Sequence, residues 1–266
     1  MSTPEEKRPR SGTSRASNTF VRPRDASTLV IYDFDTGAAR ILMGRRRMDQ
    51  VFLPGHYVFP GGRVDRQDAK RSVATPLHPL QTANLKNGMG ARASDSRAKA
   101  LGVAAVRETF EETGYLVGTP VQVNTGSGPN PLLPGKSFED AGFAPALDGL
   151  VYFCRAITPP GRPRRYDTRF FAVPRSAVSG PHAKGDGELE DIGWRTLDEV
   201  RHLKLPSITR LVLEDISQVL ASIQKPPVLE AATEALTVAV PAGIPFYFQR
   251  NGVFQRVVLS RTMGAP

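Results

Sequence analysis

Ala104-Ala-Val-Arg-Glu-Thr-Phe-Glu-Glu-Thr-Gly-Tyr115 is the stretch that decides how this chain folds. At about 100° per residue of an α-helix, Glu112 lies about 40° to one side of Glu108 and Glu111 about 60° to the other. Three carboxylates therefore share one arc, while Val103, Val106 and Phe110 fall near the opposite pole. The pattern predicts a helix with one acidic face and one core face. Arg107 stands four residues before Glu111 and is placed for an ion pair. Ala104 and Ala105 leave room beside the acids. Like charges this close repel, and some take up protons unless a cation compensates. An all-oxygen donor set suits hard divalent cations such as Mg²⁺ and Mn²⁺. An ordinary solvated acidic face has the same spacing. The cluster, however, sits at the helix C-terminus, where the helix dipole disfavours anions.

Outward from this helix, Ser94 or Asp95 is the expected N-cap and Gly114 the stop. Upstream, Ser27–Phe34 and Ala39–Met43 read as a hairpin turning at Asp35-Thr-Gly37. Leu53-Pro-Gly55 and Phe59-Pro-Gly-Gly62 are turns around a short extended piece, Tyr57-Val58. Residues 65–93 keep no steady period and read as an irregular insertion, and 119–135 as a Pro/Gly/Asn-rich loop. Gly149–Ile157, Arg169–Val173 and Asp191–Trp194 read as strands, and Pro206 to Ile223 has helical spacing. Asn251-Gly252, between Phe246–Gln249 and Val253–Leu259, marks a hairpin. Strands and helices alternate irregularly, so the expected class is α/β with a mixed sheet. The expected organisation is a disordered basic tail over 1–26, one domain over 27–223, and a C-terminal extension over 224–266 that carries the hairpin.

Composition narrows the class further. The chain has 266 residues, 35 Lys+Arg against 26 Asp+Glu, and a net charge of +9. A single cysteine, Cys154, excludes a disulfide scaffold, and no apolar run reaches the ~18–20 residues of a membrane-spanning helix. The N-terminus lacks the apolar stretch of a signal peptide, and a cytoplasmic location is expected. Much of the basic excess is local: +3 over Met1–Ser27 and +5 over Arg66–Lys99. Such an excess suits phosphorylated metabolites as well as nucleic acid. No helix-turn-helix, zinc pattern or aromatic-basic interleaving points to nucleic acid.

Arg107-Glu-Thr-Phe-Glu-Glu-Thr-Gly-Tyr115 resembles the R-E-x-x-E-E-x-G core of the Nudix box, and Phe59-Pro-Gly-Gly62 resembles the loop that opens it. Glu188-Leu-Glu-Asp-Ile-Gly-Trp194 is similar to the Glu-then-Trp segment found late in many Nudix domains. The resemblance covers about residues 27–222. The family pattern is G-x5-E-x7-R-E, yet Gly62 lies 45 positions before Arg107 where the pattern has 14, an excess of 31. Counted back from Arg107, the first box glutamate falls on Lys99. It is either missing or supplied from elsewhere, with Asp65 and Asp95 as the candidates. Ile41 to Asp65, with Gly55-x3-Phe59-Pro-Gly-Gly62, is similar to the coenzyme A diphosphatases of the family that carry an insertion after their Gly-Gly. The Arg usually found four residues before that first Gly is replaced by Val51.

The resemblance implies a Nudix-type α/β/α sandwich with a C-terminal β-hairpin extension. It also implies a diphosphate hydrolase that uses Mg²⁺ or Mn²⁺ on a small-molecule nucleoside diphosphate derivative, coenzyme A or its acyl esters among them. By position, Glu108, Glu111 and Glu112 are the implied metal ligands, with the Gly61 carbonyl as a fourth. Arg107 positions the glutamates, and Glu188 is the candidate general base. Arginines follow one strand at Arg45-Arg-Arg47 and adjoin another at Arg164, Arg165 and Arg169. Guanidinium forks suit phosphate oxygens, and Arg45, Arg47, Arg165 and Arg169 are the candidates for substrate contact. Two alternatives stand beside this reading: a non-catalytic Nudix module that binds a nucleotide metabolite, and an RNA-end pyrophosphohydrolase. The hairpin can pack on its own domain or on a second copy, which leaves a homodimer open.

Overall fold

In a computed structural model of the chain, Leu29 and Ile31 enter one apolar core, while Val30 and Tyr32 enter a second on the other side of the sheet. The structure describes residues 21–35, 38–121, 138, 141–181, 185–223 and 243–260. Most of the expected basic tail lies outside the described residues. So do the turn at 36–37, nearly all of the 119–135 loop, residues 224–242, and residues 261–266.

The alternation of apolar residues between two cores explains why the strands read as continuous apolar runs. It recurs in β2 (Ala38–Arg46) and β8 (Tyr166–Pro174), where Leu42, Phe171 and Val173 face one core and Ile41, Met43, Phe170 and Ala172 the other. The first core is closed by α2 (Asp95–Thr113), which buries Leu101, Val103, Val106 and Phe110 as its spacing requires. The second is closed by α4 (Ser207–Ser222), through Val212, Leu213, Ile216, Val219 and Leu220. Helix, sheet and helix thus form the expected three layers.

Among the described residues, nine strands share the main sheet, with the order β11-β10-β7-β8-β1-β2-β3, β4 pairing with β1 and β9 with β2. Here β1 is Arg24–Asp35, β3 Tyr57–Val58, β4 Gly61–Arg63, β7 Val151–Ile157 and β9 Leu189–Thr196. The hairpin strands are β10, Gly243–Arg250, and β11, Val253–Ser260. β1 runs parallel to β8 and β10 parallel to β7, while the remaining pairs are antiparallel. The sheet is mixed, as the irregular alternation implied. The C-terminal hairpin is its edge and not a separate unit, with Ile244 in one core and Tyr247 in the other. β5 (Gly118–Pro120) and β6 (Phe143–Pro145) form a small second sheet.

Two expectations are corrected. β1 begins at Arg24, inside the expected tail, because its first residues pair with β8 on one side and β4 on the other. The insertion is not wholly irregular: it holds α1 (Pro79–Asn87), started by Pro79 behind an N-cap at His78 whose Nδ1 accepts the Leu80 N–H. α1 escaped a reading by periodicity because the residues it buries are Gln81, Asn84 and Leu85, so its inner face is mostly polar. Gln81 Oε1 accepts the buried Tyr152 N–H at 3.1 Å, which ties the insertion to β7.

A buried donor stripped of its acceptor costs about 1–3 kcal/mol. Replacing Gln81 by Leu is therefore expected to lower unfolding stability by about that amount, read from the urea midpoint. An unchanged midpoint would show that the Tyr152 N–H finds another acceptor.

Candidate active site

The acidic face of α2 meets the Phe59-Pro-Gly-Gly62 turn because both ends of the contact are fixed by backbone chemistry. The helix starts on Ser94, whose side chain accepts the Arg97 N–H, and stops on Gly114 in the left-handed conformation. The turn is pinned where the Pro60 carbonyl accepts the Leu29 N–H of β1. Gly61 then takes φ +152°, and a Cβ there would stand 2.4 Å from the Ser27 carbonyl oxygen. Only glycine lets the loop lie this close to β1.

Glu112 Oε2 accepts the Gly61 N–H at 2.8 Å, and Glu112 is buried. The Glu108 carboxylate rests against Gly62, where an added Cβ would fall 2.4 Å from Glu108 Cδ. Arg107 gathers the other acids. Its Nε and Nη2 donate to the two oxygens of Asp68 at 2.8 and 3.1 Å, and its Nη1 to Glu108 at 2.9 Å and Glu111 at 2.8 Å. Burial works against its charge, but the Asp68 bond and the surrounding acids hold the guanidinium protonated.

Asp68 corrects the sequence reading. Neither Asp65 nor Asp95 serves Arg107: Asp95 pairs with Lys86 at the surface, and Asp65 contributes its backbone N–H to Asp68 Oδ2. The acid at Arg107 is Asp68, which has no exposed surface. Counted forward from Gly62, Asp68 falls at the sixth position, where the family pattern has glutamate. Counting back from Arg107 missed it, because the extra residues lie between the acid and the helix. Lys99, found by that backward count, donates to the Arg71 carbonyl at 2.9 Å.

Glu188 comes from the loop that precedes β9. That loop is docked on the C-terminal end of α2, with the Asp186 N–H donating to the Glu111 carbonyl at 2.7 Å. Glu188 is exposed, and its charge raises the pKa values of both Glu108 and Glu112. Burial, opposed by Arg107 and reinforced by Glu111 and Glu188, lifts Glu108 from 4.5 to about 7. Burial also raises Glu112 well above its ordinary value, against the Gly61 N–H bond and with help from Glu108 and Glu188. Glu111 is raised mainly by burial and held back by Arg107. Glu108, Glu112 and Glu188 all line a cleft of about 780 Å³, together with Gly61 and Gly62.

Among the described residues, no three acidic, histidine or cysteine side chains already stand at metal-ligating spacing. Arg107 engages Glu108 and Glu111, and the Gly61 N–H engages Glu112. The donor set nevertheless fits a hard divalent cation: two oxygen-bearing acids in one cleft, both pushed toward protonation by burial and, to a lesser degree, by neighbouring acids.

The candidate arginines divide. Arg45 and Arg47 pair with Glu190 and Asp49 on the outside, while Arg46 between them lines the cleft, as the two-residue alternation of a strand requires. Arg169 is nearly sealed and belongs to a buried ladder, bonded to Asp167 at 2.9 Å and Asp25 at 3.2 Å. Its burial beneath the sheet removes it from substrate contact. Arg165 lines the cleft, with its guanidinium also donating to the Thr158 and Val21 carbonyls. Arg22, Arg24, Arg63 and Arg164 line it too and were not among the candidates.

No family model matches the chain. It is 28% identical over 141 residues to a provisionally named nudix hydrolase 7 of Caenorhabditis elegans, covering 50% of this chain and 39% of that protein. It is 28% identical over 177 residues to the acyl-coenzyme A diphosphatase NUDT19 of Gallus gallus, covering 49% of this chain and 47% of that protein. The chain thus spans less than half the length of these curated relatives. A crystal structure of a NUDIX hydrolase from Alicyclobacillus acidocaldarius superposes with a TM-score of 0.54 at 28% identity, over 80% of this chain and 96% of that one.

The raised carboxyl pKa values set a pH dependence. An acid at about 7 in the folded state against 4.5 ordinarily binds more protons folded than unfolded, so its contribution to stability falls as pH rises between those values. A cation that binds the ionised acids gives most where they are ionised. The thermal midpoint is expected to rise with saturating Mn²⁺ more at pH 8 than at pH 5, and the difference to vanish in Glu108→Gln/Glu112→Gln. Equal rises at both pH values would count against a cation on these acids.

Proposed function

We propose, from its likeness to Nudix hydrolases, that the chain is a Nudix hydrolase and cleaves the diphosphate linkage of a nucleoside diphosphate derivative. One observation carries the reading: two acids of one helix, Glu108 and Glu112, meet the two glycines of the opposing turn inside a cleft. A divalent cation held by Glu108 and Glu112 would offset the charge of the phosphate oxygens. Arg46, Arg63 and Arg165 stand on the walls, where guanidinium forks can donate to non-bridging phosphate oxygens. Glu188, exposed to solvent yet close enough to bias Glu108 and Glu112, takes the proton of the attacking water. Water adds to one phosphorus, the anhydride P–O bond breaks, and each half leaves with one phosphoryl group of the former diphosphate.

Coenzyme A or an acyl ester of it is the substrate class the cleft and the relatives favour. Beside the arginines lies an apolar strip: Phe52 and Tyr166 in edge-to-face contact at 6.0 Å, with Leu53 and Ile208. Such a strip suits an adenine ring or an acyl chain. The reading as a non-catalytic module rested on a missing first box acid, and Asp68 removes that ground.

The test is Mg²⁺- or Mn²⁺-dependent cleavage of coenzyme A, its acyl esters and ADP-ribose, with products identified by mass. Glu112→Gln is expected to lose about a hundredfold or more in kcat, and equal rates in both proteins would refute the proposal. Gly62→Ala displaces the tip of a flexible side chain, Glu108, and not backbone. It is expected to lose activity on the same scale while its thermal midpoint stays near wild type. A fully active Gly62→Ala would place the chemistry away from Glu108.

A further inference from the structure

The cleft is a ruled surface, because β1 and β8 run parallel along it in fixed register. Thr28 stands opposite Phe170, Ala26 opposite Thr168, and Arg24 opposite Tyr166, and all six residues line the cleft. Thr28 also pairs with Gly61 of β4, so that level holds the glycine turn and the acids. Two residues of a strand rise about 6.6 Å, so the Arg24 level lies about 13 Å along the cleft from the acids. Arg164, two residues before Tyr166, lies at the same far end.

These two arginines differ from most others around the sheet. Arg45, Arg47, Arg97, Arg155, Arg169 and Arg256 each hold an acidic partner. Arg24 and Arg164 are exposed, line the cleft, and have no acid paired with their side chains among the described residues. The backbone keeps them together, since the Arg24 N–H donates to the Arg165 carbonyl at 3.0 Å. A guanidinium pair beside a cavity, unneutralised, with one member at the start of β1 and the other in the bend just before β8, is suited to an anion carried by the molecule in that cavity.

We propose that Arg24 and Arg164 form a second anion subsite, which receives a phosphate monoester on the sugar of the nucleoside whose diphosphate lies at Glu108 and Glu112. The subsite rests on the hydrolase reading above and adds to it a selection for substrates with three phosphoryl groups over those with two. The diphosphate occupies the acid end, the sugar spans the Ala26–Thr168 level, and the base reaches the Phe52–Tyr166 pair. Neither arginine touches the reacting phosphorus, so both act on substrate affinity and not on the chemical step.

The experiment compares ligands that differ by one phosphate monoester. Adenosine 3′,5′-bisphosphate and adenosine 5′-monophosphate are titrated calorimetrically into wild type and into Arg24→Gln/Arg164→Gln. Kinetic constants are measured in parallel for coenzyme A and dephospho-coenzyme A. Wild type is expected to favour the bisphosphate by about tenfold or more, and the double variant to lose that preference. In turnover, the variant's KM rises for coenzyme A by the same factor, while KM for dephospho-coenzyme A and both kcat values stay within about twofold. No preference in wild type, or a preference that survives in the variant, overturns the subsite. Binding is read without turnover, so a protein that shows the preference but cleaves neither coenzyme refutes the hydrolase reading and leaves the subsite standing.

Discussion

One guanidinium shared by three acids is the constraint on which this site depends. Arg107 bonds Asp68, Glu108 and Glu111 at once. Removing one partner of a buried ion pair costs about 3–5 kcal/mol, because the other charge is left uncompensated. That cost falls mainly on the pair with the fully buried Asp68. Asp68 takes Nε and Nη2, which leaves Nη1 to orient Glu108 and Glu111. Glu112, outside this fork, is held instead by the Gly61 N–H. These glutamates are placed by donors on two separate segments, α2 and the glycine turn, and burial, reinforced by the neighbouring acids, pushes Glu108 and Glu112 toward protonation.

The same principle, charge settled locally where it is structural and left unsettled where it faces the cleft, sorts the arginines. Arg169, Arg155 and Arg97 are matched with Asp167 and Asp25 in a buried ladder across β7, β8, β1 and α2. Those pairs hold the layers together and present no charge to a ligand. Strand alternation decides the rest. Of the run Arg45-Arg-Arg47, only the middle residue turns to the cleft, and the flanking two find acids outside.

How much of this was legible follows from which signals are local. The helix over Asp95–Thr113, its caps and its two faces were readable, because period and caps are set within the segment itself. Most strands were readable for the same reason, and the Asn251-Gly252 hairpin by its turn residues. Partners far apart in sequence were not. Arg169 reads like any strand-edge arginine until β1 brings Asp25 beside it. α1 hides because it buries Gln81 and Asn84, whose value lies in a distant backbone N–H. Asp68 was readable in principle, by counting forward from Gly62, but only a contact 39 residues away selects that count over the backward one.

The position of the extra residues then has a physical explanation. Lengthening a connection from 14 to 45 positions costs only about 1 kcal/mol of closure entropy by the logarithmic rule. That cost is small provided both ends of the connection stay fixed. Asp68 on Arg107 fixes one end, and Lys99 on the Arg71 carbonyl closes the chain again within four residues of it. What lies beyond is free to do other work, and it packs Leu77, Leu85 and Met89 into the core under α2. None of residues 66–93 lines the cleft. The insertion therefore enlarges the core that supports the acidic helix, while β1, β4, β8 and the segment after β2 build the walls of the cleft.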